Sequence, residues 1–231
     1  WALEHITCLA PLREVAGALS GPLAPERGLP EGLGEAEREV RLAYYREKKV
    51  PQLRWMLRQA RELVEARLSA RAAAAAAVVT MGGGERSGSA ERTPLRVVDL
   101  GCGKGDFSLL LAAAMPTLQV LGVDTNADAI EYAQQRAAIA GLPNARFQTA
   151  DATALSGDGT ALLVALHACG GLSDVALRLA ASWGASCLIC TCCFGKHRAL
   201  SPAAEWDLPN GEEAKDVLCR MADCADPHVS T

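Results

Sequence analysis

Aromatic side chains are scarce in this chain, at 4% of 231 residues. Alanine is abundant instead, which points to a GC-rich coding sequence rather than to a function. No apolar run reaches the roughly 18 residues a membrane-crossing helix needs, and the tract Ala72 to Val79 is too short. No membrane partner is therefore expected. A net charge of −4 excludes a globally basic protein. No Gly-Lys-Ser/Thr closes the glycine-rich segment, which excludes a P-loop. No internal repeat is visible. The chain opens on Trp1-Ala2-Leu3, without an initial Met or a charged leader, and reads as an excised piece with no signal peptide in view.

What is present suffices for one domain, or at most two: half of the residues are hydrophobic. Residues 1–34 are rich in Pro and Gly and read as an irregular lead-in. Residues 35–80 are helical in pattern, with Pro51 expected to kink the run or start a second helix. Residues 81–94 read as a flexible linker. Residues 95–231 carry the chemistry.

The most informative stretch is Val97-Val98-Asp99-Leu100-Gly101-Cys102-Gly103-Lys104-Gly105-Asp106-Phe107. It reads as a buried strand, a glycine turn and a helix start. In an α/β sheet, the carboxyl end of the first strand is where ligands bind. Glycines let the backbone bend sharply and let a ligand lie against it. A dinucleotide turn requires a third glycine at the sixth position, where Asp106 stands. A carboxylate at a helix N-terminus would repel a pyrophosphate. Glycines serving packing alone are the plainer reading.

Later elements repeat the pattern. Gln119 to Asp124 reads as a second strand ending in an acid, suited to accept from two ribose hydroxyls. Thr125 follows, and Asn126 is a good N-cap for a helix to about Ala140 that Gly141 closes. Ala145 to Asp151 reads as a third strand, again ending in an acid, with Ala152 next. Any one of these acids could be a helix cap; three in order are stronger. Ala161 to Gly170 contains an apolar central strand, a helix covers about Ser173 to Trp183, and Ser186 to Cys193 reads as a fifth strand. Strands alternating with helices imply a parallel sheet.

The pattern Asp99-x-Gly101-x-Gly103-x-Gly105, with Asp124 and Asp151 at the next strand ends, resembles class I S-adenosyl-L-methionine (SAM) methyltransferases. Two further segments narrow it: Ala165-Leu166-His167-Ala168-Cys169-Gly170 and Thr191-Cys192-Cys193-Phe194-Gly195-Lys196. With Leu218 to Asp223, they resemble the methyltransferase-like domain of glutathione S-transferase C-terminal-domain-containing proteins. More distantly they are similar to tRNA 2′-O-methyltransferases of the acceptor stem. Thr191 stands where that branch has proline.

The resemblance implies an α/β Rossmann-like fold: a mostly parallel five-stranded sheet with helices on both faces. It implies SAM as cofactor, held by Asp99, Gly101, Gly103, Gly105, Asp124, Thr125, Asp151 and Ala152. Asp151 would meet the adenine amino group. Class I enzymes end in an antiparallel strand pair. Here Gly211 to Ala225 reads as one helix and that pair is expected to be missing.

The amine-methylating Asp/Asn-Pro-Pro-aromatic motif is absent after the fourth strand, where His167-Ala168-Cys169-Gly170 stands. His167 is thus the candidate catalytic residue, since an imidazole titrates near neutrality. Bonding a neighbouring carbonyl is its plainer role. Lys196 and His197 are placed at the same mouth, suited to a phosphate.

Between Tyr44 and Arg61 stand six basic residues and one acid, interleaved with two tyrosines and Trp55. This suits RNA phosphates and stacked bases, with Arg54 and Arg58 as contacts. A solvated helix face with its aromatics turned to the core is the other reading. RNA, tRNA or rRNA, is the expected substrate. A non-catalytic binding module of the same fold, a protein or small-molecule methyltransferase, and a nucleotide-dependent oxidoreductase are the alternatives.

Nine cysteines, an odd count placed mainly in strands and the turn, suggest free thiols in a reducing, cytoplasmic setting. No metal is expected. Cys187-x-x-Cys190, with Cys192, Cys193 and His197 close by, keeps a zinc site in play.

Overall fold

The structure, a computed structural model, describes residues 21–80 and 94–191. Several sequence expectations lie outside these residues: the lead-in to residue 20, the linker apart from its last residue, Cys192, Cys193, Lys196, His197 and the helix at 211–225.

Helix α1 (Glu35–Tyr44) runs through one π-type turn (Tyr45–Lys49) into α2 (Val50–Thr80). Then follow β1 (Arg96–Leu100), α3 (Asp106–Ala114), β2 (Gln119–Asp124), α4 (Ala127–Ile139), β3 (Ala145–Thr149), β4 (Thr160–Leu166), α5 (Gly171–Trp183) and β5 (Ser186–Cys190). The sheet order is β3-β2-β1-β4-β5, and every pairing is parallel. The winding reverses between β1 and β4, so a crevice forms at their carboxyl ends.

The two-residue period of a strand sorts the core into layers. Val97, Leu162 and Val164 face α2 and α3, packing on Leu53, Met56, Leu57, Phe107 and Leu110. Val98, Leu100, Leu163 and Ala165 face the other way, onto Ala176 and Ala180 of α5. Helix α4 closes the β2–β3 end through Ile130 and Ala133 against Phe147. The expected five-stranded α/β sheet covered on both faces is therefore what forms. Helix α2 belongs to this layering, with Leu53, Met56, Leu57, Ala60 and Val64 fully buried at helical spacing.

Pro51 does not end the helical run. A proline has no N–H, and in an α-helix its ring strikes the carbonyl four residues back. The wider turn sits just upstream, where the Val50 N–H donates to the Tyr45 carbonyl. Three boundaries also move. Strand β3 stops at Thr149, because the Asp151 carboxylate accepts from the Thr153 N–H and caps a short 3₁₀ turn. Strand β4 stops at Leu166, because His167 turns to φ 63°. Strand β5 stops at Cys190.

Candidate functional site

The turn after β1 is built as its glycines require. Gly101, Gly103 and Gly105 all have left-handed φ, at 69°, 52° and 77°. A Cβ on Gly105 would stand 2.8 Å from the Phe147 ring, so this glycine is needed for packing; a Cβ on Gly103 would meet nothing within 4 Å. The turn is tied to β2: Gly101 and Cys102 N–H groups donate to the Val123 carbonyl at 2.8 and 3.1 Å. The Gly103 N–H donates to Asp124 Oδ2 at 2.8 Å. Asp124 Oδ1 accepts from the Asn126 N–H at 2.9 Å. Asn126 in turn caps α4, accepting from the Ala129 N–H.

The three strand-end acids are unlike one another. Asp99 is 1% exposed. Its Oδ2 accepts from Ser108 Oγ at 2.5 Å, while Oδ1 has no partner among the described residues. Burial pushes its carboxyl up to about 7; the Ser108 hydrogen bonds oppose this and the nearby Asp124 adds to it. Asp124 is half-buried and holds the turn. Asp151 is exposed, with Oδ1 committed to the Thr153 N–H and hydroxyl at 2.8 and 2.6 Å. These bonds hold it below the usual carboxylate range. Thr125 is an exposed bend beside Asp124, and Ala152 packs partly into the core.

Across the crevice, after β4, stands His167. It alone among the described non-glycine residues has positive φ, a conformation that costs energy and concentrates at functional sites. The Cys169 N–H donates to its carbonyl at 2.7 Å, closing a tight turn, and Ser173 Oγ bonds Gly170. Burial first, and the Lys49 ammonium second, hold the imidazole below its ordinary value.

Other groups meet at this mouth, where the sequence reading does not place them together. The π-type turn presents Tyr45 and Lys49, with the Lys49 ammonium 5.5 Å from the Tyr45 ring centroid. Lys49 Nζ pairs with Asp106 Oδ2 at the N-terminus of α3. Arg136 Nη1 pairs with Asp106 Oδ1 at 2.5 Å. Burial alone would raise the Asp106 carboxyl, but Lys49 and Arg136 bring it below its usual value. Gln52 Nε2 donates to Cys190 Sγ at 3.6 Å, at the end of β5.

The remaining expected sites lie elsewhere. Arg54 and Arg58 are exposed on α2. Tyr44 and Trp55, at 47% and 46% exposure, are not turned into the core. Cys187 packs on the α5 side of the sheet and Cys190 on the α2 side, as an odd spacing on a strand dictates, so this pair does not converge on one metal. Cys102, Cys187 and Cys190 form no disulfide among the described residues, and burial raises the thiol of Cys102. A groove of about 630 Å³ lies at the sheet edge, along Gln134, Leu142, Arg146 and Phe147, and its lining holds no acid, thiol or imidazole.

Residues 55–198 match the family model described as a methyltransferase domain. The human glutathione S-transferase C-terminal domain-containing protein is 29% identical over 136 residues, covering 55% of this chain and 21% of that protein. A trans-aconitate 2-methyltransferase of Variovorax paradoxus is 44% identical over 64 residues, 26% of this chain and 23% of that one. The YcgJ protein of Bacillus subtilis superposes with a TM-score of 0.36 at 29% identity, over 42% of this chain and 44% of that one. The chain spans about a fifth of the length of the curated relatives it matches. With more than half of its length inside the family model, on a parallel sheet with a glycine turn at the switch point, the chain belongs to the methyltransferase-domain family.

Proposed function

We propose that this chain binds SAM in the β1/β4 crevice and transfers its methyl group to RNA. The observation that carries the cofactor reading is the buried, unpartnered Oδ1 of Asp99 beneath a turn of three left-handed glycines. A buried acceptor is costly without a donor, and SAM brings an ammonium and a cationic sulfonium with no phosphate. The residues fit the group: Gly103 leaves open space, Asp124 borders it, and Asp99 supplies an acceptor. Asp124 would hold the ribose, while Thr125, Asp151 and Ala152 lie on the adenine side.

Bound there, SAM supplies an electrophilic methyl on a good leaving group, so positioning carries most of the rate. His167 stands across the crevice, and its lowered pKa keeps the imidazole neutral near pH 7, able to accept a proton from the methyl acceptor. His167 is exposed at the mouth, on a backbone held at left-handed φ.

The RNA reading rests on the surface that leads from this mouth. Arg46, Lys48, Arg54 and Arg58 are exposed beside the half-exposed Tyr44 and Trp55. Cations neutralise phosphates and aromatic faces stack on bases. A fluorescence-anisotropy titration of structured RNA tests it. Affinity that falls steeply with salt, together with methyl incorporation into that RNA, supports the reading. No RNA binding at low salt would instead leave a protein or small-molecule acceptor, or a non-catalytic module.

A further inference from the structure

We infer that Lys49 is a cofactor-binding residue that holds the carboxylate of the SAM amino-acid tail, with Asp99 taking the ammonium at the other side of the same helix end. The inference rests on the SAM reading and names a residue outside the matched segment 55–198.

A zwitterionic tail needs an acceptor and a cation a few ångströms apart. Both groups are tied to the first turn of α3, on different sides of it. Ser108 bonds Asp99, and two residues earlier Asp106 bonds Lys49. Asp99 offers its unpartnered, buried Oδ1. Asp106 does not neutralise Lys49 alone, since it also accepts from Arg136. An ammonium has three N–H donors, and one bond to Asp106 leaves donors for a second carboxylate. The α3 N-terminus adds its dipole, and its N-cap, Gly105, has no side chain to occupy the first N–H groups.

The π-type turn is what delivers Lys49. The ammonium sits over the Tyr45 ring four residues back, at the crevice rather than in bulk water, and its side chain is 21% exposed. Its field also reaches His167. Lys49 therefore stands between the glycine turn after β1 and the turn after β4, on either side of the switch point.

The test is a calorimetric titration of the whole chain with SAM and with decarboxylated SAM, which lacks only the carboxylate. The wild-type chain should prefer SAM. Lys49→Met should weaken SAM by about 10–100-fold, as loss of a charge-assisted bond does, and leave decarboxylated SAM unchanged. Lys49→Arg should restore most of the preference, because a guanidinium also pairs with carboxylates. Asp99→Asn should show the opposite pattern, weakening both ligands alike. Equal loss of both ligands in Lys49→Met would make Lys49 a structural strut and overturn the inference, as would no loss of either. A wild-type chain that binds neither ligand would overturn the cofactor reading, and this inference with it.

Discussion

Asp99 concentrates the site's conflict between stability and binding. Its folded pKa of about 7 lies above the ordinary carboxylate value of 3.8. Between these values the folded chain holds a proton that the unfolded chain has released. The contribution of this group to stability therefore falls as pH rises through that window, and the full penalty stands above about pH 7. Asp99→Asn removes the penalty. It should stabilise the ligand-free chain at pH 8 by a few kcal/mol at most, change little near pH 4, and weaken SAM binding. Thermal melts at the two pH values check this, and an equal shift at both would refute it. His167 carries a second conflict, in its backbone. At φ 63° a side chain costs roughly 1–2 kcal/mol that glycine does not. His167→Gly should be about 1 kcal/mol more stable than His167→Ala in denaturant melts, with methyl transfer lost in both.

Among the elements, the β1 turn, β2 and β3 work as one unit. Asp99, Gly122 and Phe147 stand in register across three strands. A Cβ on Gly122 would lie 2.6 Å from Phe147 Cδ1 and 2.9 Å from Cys102 Sγ. Gly122→Ala should cost about 1–3 kcal/mol by overpacking, and Phe147→Leu in the same chain should return part of it. Equilibrium unfolding checks both; no cost in the single variant would show that the ring yields. These elements were legible in sequence because β1 and β2 are short, largely apolar runs closed by turn residues, while β3 alternates apolar with polar residues. Asn126 capping α4 and Gly141 closing it follow the same local rules. The π-type turn was not legible. Pro51 announced a disturbance, but where the extra residue falls, and that it turns Tyr45 and Lys49 to the crevice, depends on α2 packing against β4 and β5. Asp151 shows the reverse case: it read as a strand end, and a local hydrogen bond to Thr153 makes it a cap.

Over the whole molecule, one open side of the sheet gathers the chemistry while the basic helix surface leads away from it. The Lys49–Asp106–Arg136 cluster joins residues far apart in sequence, so spacing could not reveal it. The orientation of Trp55 likewise follows from which side of α2 the sheet buries. Reversing Arg54 and Arg58 to Glu should weaken RNA binding and flatten its salt dependence by about two phosphates. Anisotropy titrations over a salt series check this, and SAM affinity should stay unchanged because both residues lie outside the crevice. The central claim is that the crevice takes SAM, with Asp124 on the ribose. Calorimetric titration of wild-type chain and Asp124→Ala, with SAM and with NAD, tests it most directly. The account predicts SAM binding without NAD binding, and a loss in Asp124→Ala of about 1.5–3 kcal/mol for each charge-assisted bond removed. Equal SAM affinity in the two chains, or NAD binding without SAM, would contradict it.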